Sequence, residues 1–142
     1  MLTEFLEIER KYQRLLSEMT QQFGVTVSEW LLLVKVNAGT NTQASLAREL
    51  RVDVSTLSRQ LKGLVGKELL AKIPTHQKQV QYEISATGTT VFAQISQAAE
   101  KLTQQLFGQL SAADMAKVRE FMTLLDHRMN HLVLKSRKVG IN

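Results

Sequence analysis

Residues 42–66 read TQASLAREL, then RVD, then VSTLSRQLKGLVG: Thr42 to Leu50, a three-residue break at 51–53, and Val54 to Gly66. The first run places Leu46, Ala47 and Leu50 on one side of a short helix, and the small Ala47 allows a second helix to approach closely. Asp53 is placed to cap that second helix, its carboxylate accepting the free amide protons of the first turn. Val54, Leu57, Leu61, Leu64 and Val65 then repeat at helical spacing as an apolar stripe. Ser55, Arg59 and Lys62 lie opposite, flanked by Thr56 and Ser58. A helix with an apolar back and a front of hydroxyls and cations suits the major groove, where such groups meet phosphates and base edges. The pattern implies a helix-turn-helix that reads double-stranded DNA.

After Lys67 come LLAKIP (Leu69–Pro74), a polar tip THQKQ, and VQYEIS (Val80–Ser85). Two extended runs around a polar turn predict a hairpin, and a hairpin after a recognition helix makes a winged helix. Val80, Tyr82 and Ile84 alternate with Gln81 and Glu83, as a strand does when one face packs on a core. Pro74 falls at a strand end, where its missing amide proton costs least.

TQASLAREL, the run Leu-x-Val-Asp-x-Ser-Thr-x-Ser-Arg from Leu50 to Arg59, and EISATG ahead of a long helix resemble the MarR family of bacterial transcriptional regulators. The resemblance extends over essentially the whole chain. It implies a homodimer whose terminal helices interlock, two heads on a palindromic operator, and repression. It also implies a small ligand, often aromatic or anionic, that binds between the dimer helices and the head and weakens DNA binding, with Trp30 a candidate for the pocket wall. The wing departs from the family pattern. The usual Asp-x-Arg, whose arginine enters the minor groove, is replaced by His76-Gln77-Lys78, and Lys78 lacks the planar fork of arginine. Glu68 stands where relatives often carry glycine, which puts the hinge before the first wing strand in question.

The fold class expected is mostly α, an α+β winged helix-turn-helix of about six helices with a two- to three-stranded wing. Helix one should run from about Glu4 to Gln22, with Phe5, Ile8, Tyr12, Leu15, Met19 and Phe23 as a seam. Helix two should start near Ser28, with Trp30, Leu31, Leu33 and Val34 inside. Past the wing a long helix is predicted from about Thr89 to Leu106, burying Phe92, Ile95, Ala99, Leu102 and Leu106. Ser111 can cap the last helix, with Asp114 in capping-box relation and Met115, Val118, Met122, Leu125, Met129 and Leu132 as its stripe. Residues 1–24 and 108–142 are thus read as dimerisation helices, 27–85 as the head and 87–107 as the connection. The apolar faces exceed what so small a head can cover, and a second copy of the chain is the expected cover. A larger monomeric helical core is the alternative.

Composition bounds the function classes. A chain of 142 residues is one domain's worth. No apolar run reaches membrane-span length, and LTEFLEIERKY at the start is acidic and amphipathic, so a cytoplasmic protein is expected. With no cysteine, there is no disulfide, thiolate metal site or thiol switch. The net charge is +5, and residues 42–82 carry seven cations against three acids, the larger part of that surplus. Phosphate contacts need such a local excess; a merely solvated basic face is the competing explanation.

Among single residues, Arg59 can bond guanine in bidentate fashion or meet a phosphate. Ser55, Thr56 and Ser58 can bond either, Lys62 suits the backbone, and Thr42 and Gln43 open a helix whose amide end favours phosphate. In the wing, His76 and Lys78 are further DNA-contact candidates. His127 and His131 share a face of the last helix, but two nitrogens are too few for a metal site, and no cofactor is expected. Met115, Met122 and Met129 are core filler before they are a ligand site. No Gly-rich phosphate loop, Gly-x-Ser-x-Gly or His-Glu-x-x-His occurs, so no enzyme is expected. The competing class is a winged-helix module that binds protein rather than DNA, with the altered wing as its support.

Overall fold

The computed structural model describes residues 1–76 and 79–140, with side chains as far as Lys135. Among the described residues six helices and two strands follow one another: α1 (Leu2–Gln21), α2 (Val27–Asn37), α3 (Gln43–Leu50), α4 (Val54–Gly66), β1 (Leu70–Ile73), β2 (Gln81–Ile84), α5 (Ala86–Phe107) and α6 (Ala112–Gly140). They divide into two compact units, Met1–Glu100 and Lys101–Asn142.

In the first unit α2 is the hub, packing against α1, α4 and β2, while α3 lies on α4 and α4 on β1. Leu32, Leu33, Leu46, Leu57, Leu61, Leu64 and Ile95 are fully buried between them. The inward register of α2 differs from the sequence reading: Glu29, Leu32, Leu33 and Val36 face in, Trp30 and Val34 are half-buried, and Leu31 is exposed. A run of five consecutive apolar residues, Trp30 to Val34, fits several helical phases, and packing against α4 and β2 selects this one. In α1 only Leu16, Met19 and Thr20 are buried; Phe5, Ile8, Tyr12 and Leu15 of the expected seam stand exposed.

Turn chemistry fixes the entry to α3 and α4. The Thr42 hydroxyl accepts from the Ser45 amide and starts α3. Arg51 ends α3 in the left-handed region (φ 55°), which turns the chain into Asp53. Val54, expected in the apolar stripe of α4, is instead exposed, because the first residue of α4 reaches past the core that takes Leu57, Leu61 and Leu64.

β1 and β2 pair antiparallel, with Leu70 opposite Ile84 and Lys72 opposite Tyr82. Thr42 bridges Gln81, and the Tyr82 amide donates to the Asn41 carbonyl at 2.9 Å, so the segment before α3 adds a minimal third strand. Tyr82 is buried, Ile84 half-buried, and Val80 exposed, since Val80 precedes the paired residues. Glu68 adopts φ 61°, a left-handed conformation that glycine takes without strain. α5 starts at Ala86 rather than near Thr89, one turn early, because Ser85 is the cap. Its hydroxyl accepts from the Gly88 amide (2.9 Å) and donates to the Glu68 carbonyl (2.6 Å). Gly88 is buried there, and a Cβ on it would collide with the Leu69 carbonyl. Ile95 anchors the same helix in the core, whereas Phe92, Ala99 and Leu102 are half-buried and Leu106 is exposed.

In the second unit Ser111 caps α6, accepting from the Asp114 amide at 3.1 Å. Met115, Val118 and Leu125 are half-buried, and Phe121, Met122, Leu124, Met129, Leu132, Val133 and Leu134 are exposed.

Gly88→Ala should lower unfolding stability by about 1–3 kcal/mol in urea titration, since backbone rather than a yielding side chain blocks the added methyl. At Glu68, glycine should be tolerated, while valine should destabilise by about 1 kcal/mol or more because a β-branched residue resists the left-handed region.

Candidate nucleic-acid interface

The front of α4 carries Ser55, Arg59 and Lys62, all exposed and spaced by four and three residues, one turn apart along one face. Thr56 and Ser58 on its flanks are half-buried. The front is held by the packing behind it, where Leu57, Leu61 and Leu64 have no exposed surface to speak of. Asp53 sets the start of the helix: its carboxylate accepts from the Thr56 amide at 2.7 Å and from the Ser55 hydroxyl at 2.8 Å. The amide bond chiefly, then the Ser55 and Thr56 hydroxyls and the nearby Arg59 charge, hold its pKa down at about 2 against an ordinary 3.8.

Thr42 and Gln43, half-buried at the start of α3, adjoin this front through the α3–α4 packing, and the Thr42 hydroxyl is occupied as a cap. His76 is exposed in the wing, and Lys78 lies outside the described residues. Trp30 is half-buried in α2. It lines neither of two open depressions of about 320 Å³ each, one between α2 and the wing around Val36, Tyr82 and Ile84, the other between α3, α4 and Val80. His127 and His131 are exposed on α6, and among the described residues no three His, Cys, Asp or Glu side chains gather to hold a metal.

Two residues that hold the site were not singled out from the sequence. Glu29, almost fully buried, accepts from the Lys67 ammonium at 2.7 Å and from the Thr26 amide at 2.9 Å, while the Thr26 hydroxyl accepts from the Glu29 amide at 3.1 Å. The signal present was the Thr-x-x-Glu capping box at Thr26–Glu29. Its carboxylate also abuts Gly63, where a Cβ would come within 2.9 Å of Oε2. The interaction ties the start of α2 to the end of α4 and neutralises one cation of the head. A second tie joins Glu49 of α3 to Lys35 of α2 (3.6 Å) and to the Thr40 hydroxyl.

This architecture matches solved structures over most of the chain. An Escherichia coli MarR mutant in complex with operator DNA superposes with a TM-score of 0.76 at 23% identity, covering 87% of this chain and 92% of that one. Staphylococcus aureus MarR in complex with salicylate and kanamycin gives 0.80 at 16% identity, covering 90% and 89%. The S. aureus MepR–DNA complex gives 0.77 at 19%, covering 88% and 93%. The chain has the MarR fold. No family model and no curated protein matches the sequence, so the likeness is carried by structure. Within the MarR fold of this chain, the helix-turn-helix is α3–α4 and the wing is β1–β2. None of its described helices is long and apolar enough to cross a membrane.

Asp53→Ala should lower the thermal midpoint at neutral pH. Because folding depresses the Asp53 pKa, the stabilisation is fully present above 3.8 and disappears as pH falls through about 2. The difference between wild type and variant in thermal melts should therefore narrow over that window. Glu29→Ala should cost about 1–3 kcal/mol in urea titration, the Thr26 amide losing its acceptor and the buried carboxylate site being left empty, while the half-exposed Lys67 turns to water.

Proposed function

We propose that this chain is a cytoplasmic, sequence-specific DNA-binding regulator without a catalytic step, acting as a homodimeric repressor of a palindromic operator. The observation that carries the reading is the front of α4: Ser55, Arg59 and Lys62 exposed in a row over a fully buried leucine back. Such a helix places hydroxyl and cationic groups at base edges and phosphates while its own position is fixed by the core. The operator and DNA complexes among the structures of the same fold support it.

Dimerisation rests on the uncovered apolar residues of α1, such as Phe5 and Ile8, and of α6, such as Phe121 and Leu132. Exposed faces of this extent mark interfaces, and a two-fold dimer sets the half-site spacing. Ser55, Thr56, Ser58 and Arg59 meet base edges or phosphates, with Arg59 the first candidate for base readout. Thr42, Gln43 and Lys62 meet the DNA backbone, with His76 and Lys78 of the wing alongside. Salicylate in the S. aureus relative supports a small-molecule ligand that shifts the population away from the DNA-binding arrangement, with Trp30 beside it.

Selection of random duplex DNA at about physiological salt should enrich a palindrome with half-sites about one helical turn apart. Retention that is weak, salt-sensitive and sequence-blind would overturn the reading in favour of a protein-binding module. On the selected duplex Arg59→Ala should cost about 1–3 kcal/mol if its contact is bidentate to guanine. Lys62→Ala should reduce the slope of log affinity against log salt by about 1. Lys67→Ala should leave that slope unchanged, because its ammonium is already paired with Glu29.

A further inference from the structure

We propose that Val54 and Val80 form a dry contact for the 5-methyl group of thymine, so that the head reads an A·T pair through an apolar surface as well as through hydrogen bonds. The inference rests on the DNA-binding reading and deepens it. Val54 is the first residue of α4 and is 63% exposed, although the other apolar residues of its stripe are buried or half-buried. Val80, just before β2, is 41% exposed. With Ala44 they line an open depression of about 320 Å³ whose remaining lining comes from Gln43 and Gln79.

Three elements therefore converge on it: the first turn of α3, the first residue of α4 and the approach to β2. Ser55 is the next residue of α4, and Arg59 lies one turn beyond Ser55 on the same exposed front. An apolar spot in that setting needs an occupant that is itself a small apolar projection among hydrogen-bonding groups. The major groove offers one such group on base edges, the thymine methyl. Three small side chains flanked by two carboxamides make too little dry surface for the anchor of a protein partner, which takes an aromatic or a cluster of large aliphatics. The carboxamide of Gln79 supplies the donor and acceptor pair that the N6–N7 edge of the partner adenine takes.

The test uses the full chain and the selected operator duplex, with each thymine replaced in turn by uracil, which removes the methyl and nothing else. Wild-type protein should lose about fourfold in affinity at one thymine per half-site, the value of one buried methyl-sized group. Val54→Ala should bind the thymine and uracil duplexes equally, with an unchanged thermal midpoint. A palindrome whose affinity moves by less than about twofold at every uracil would overturn the inference and leave the reading intact. A uracil loss that persists undiminished in both Val54→Ala and Val80→Ala would place the methyl elsewhere and also overturn it. Failure to enrich any sequence would remove the reading itself, and the inference with it.

Discussion

A single buried carboxylate holds the reading head in register. Glu29 is tied to the Thr26 amide at the start of its own helix and to Lys67 just past the end of α4, 38 residues further along the chain. A carboxylate removed from water must find partners, and here they fix two helix ends at once. Gly63 is part of the same arrangement, since any side chain there would meet the carboxylate. The consequence is felt at the opposite end of α4. With its back pinned by Glu29 and by Leu57, Leu61 and Leu64, the front that carries Ser55 and Arg59 has one orientation rather than several.

The wing root obeys a second constraint of the same kind. Ser85 joins the chain before the wing, through the Glu68 carbonyl, to the chain after it, through the Gly88 amide. Gly88 then lets α5 approach the Leu69 carbonyl more closely than any side chain would allow. Glu68 meets the geometry by adopting a left-handed conformation at a conformational cost of about 1–2 kcal/mol. The EISATG stretch is thus a hinge of hydrogen bonds and close contact. Its resemblance to the MarR pattern has a physical basis: Ser and Gly are the residue types that permit it.

The helices at the two ends of the chain are unusually bare. α1 buries little beyond Leu16 and Met19, and α6 exposes Phe121, Leu124 and Leu132 among others. Exposing so much apolar surface to water is unfavourable, and patches of this kind mark interaction faces. The dimer proposed above would give these faces cover.

Local chemistry was legible in the sequence wherever a residue type answers a purely local need. Asp53, Thr42 and Ser111 were readable as caps or helix starts because orphan amides want a short acceptor, and each helix begins there. The hairpin and the buried Leu57, Leu61 and Leu64 followed from periodicity. The cationic front of α4 was readable for the same reason, since opposite faces of a helix recur at fixed spacing. Other features depended on elements distant in the chain. Leu32, rather than Leu31, faces inward because α4 and β2 sit where they do. Val54 left the apolar stripe because the core ends one turn inside α4, and no spacing rule records where a core ends. Glu29 and Lys67 are unremarkable surface types until folding brings them to 2.7 Å. The helices, their caps and the cationic front of α4 follow from residue type and spacing alone. The register of α2, the buried carboxylate and the apolar depression at Val54 follow from packing, because each depends on what lies across the fold.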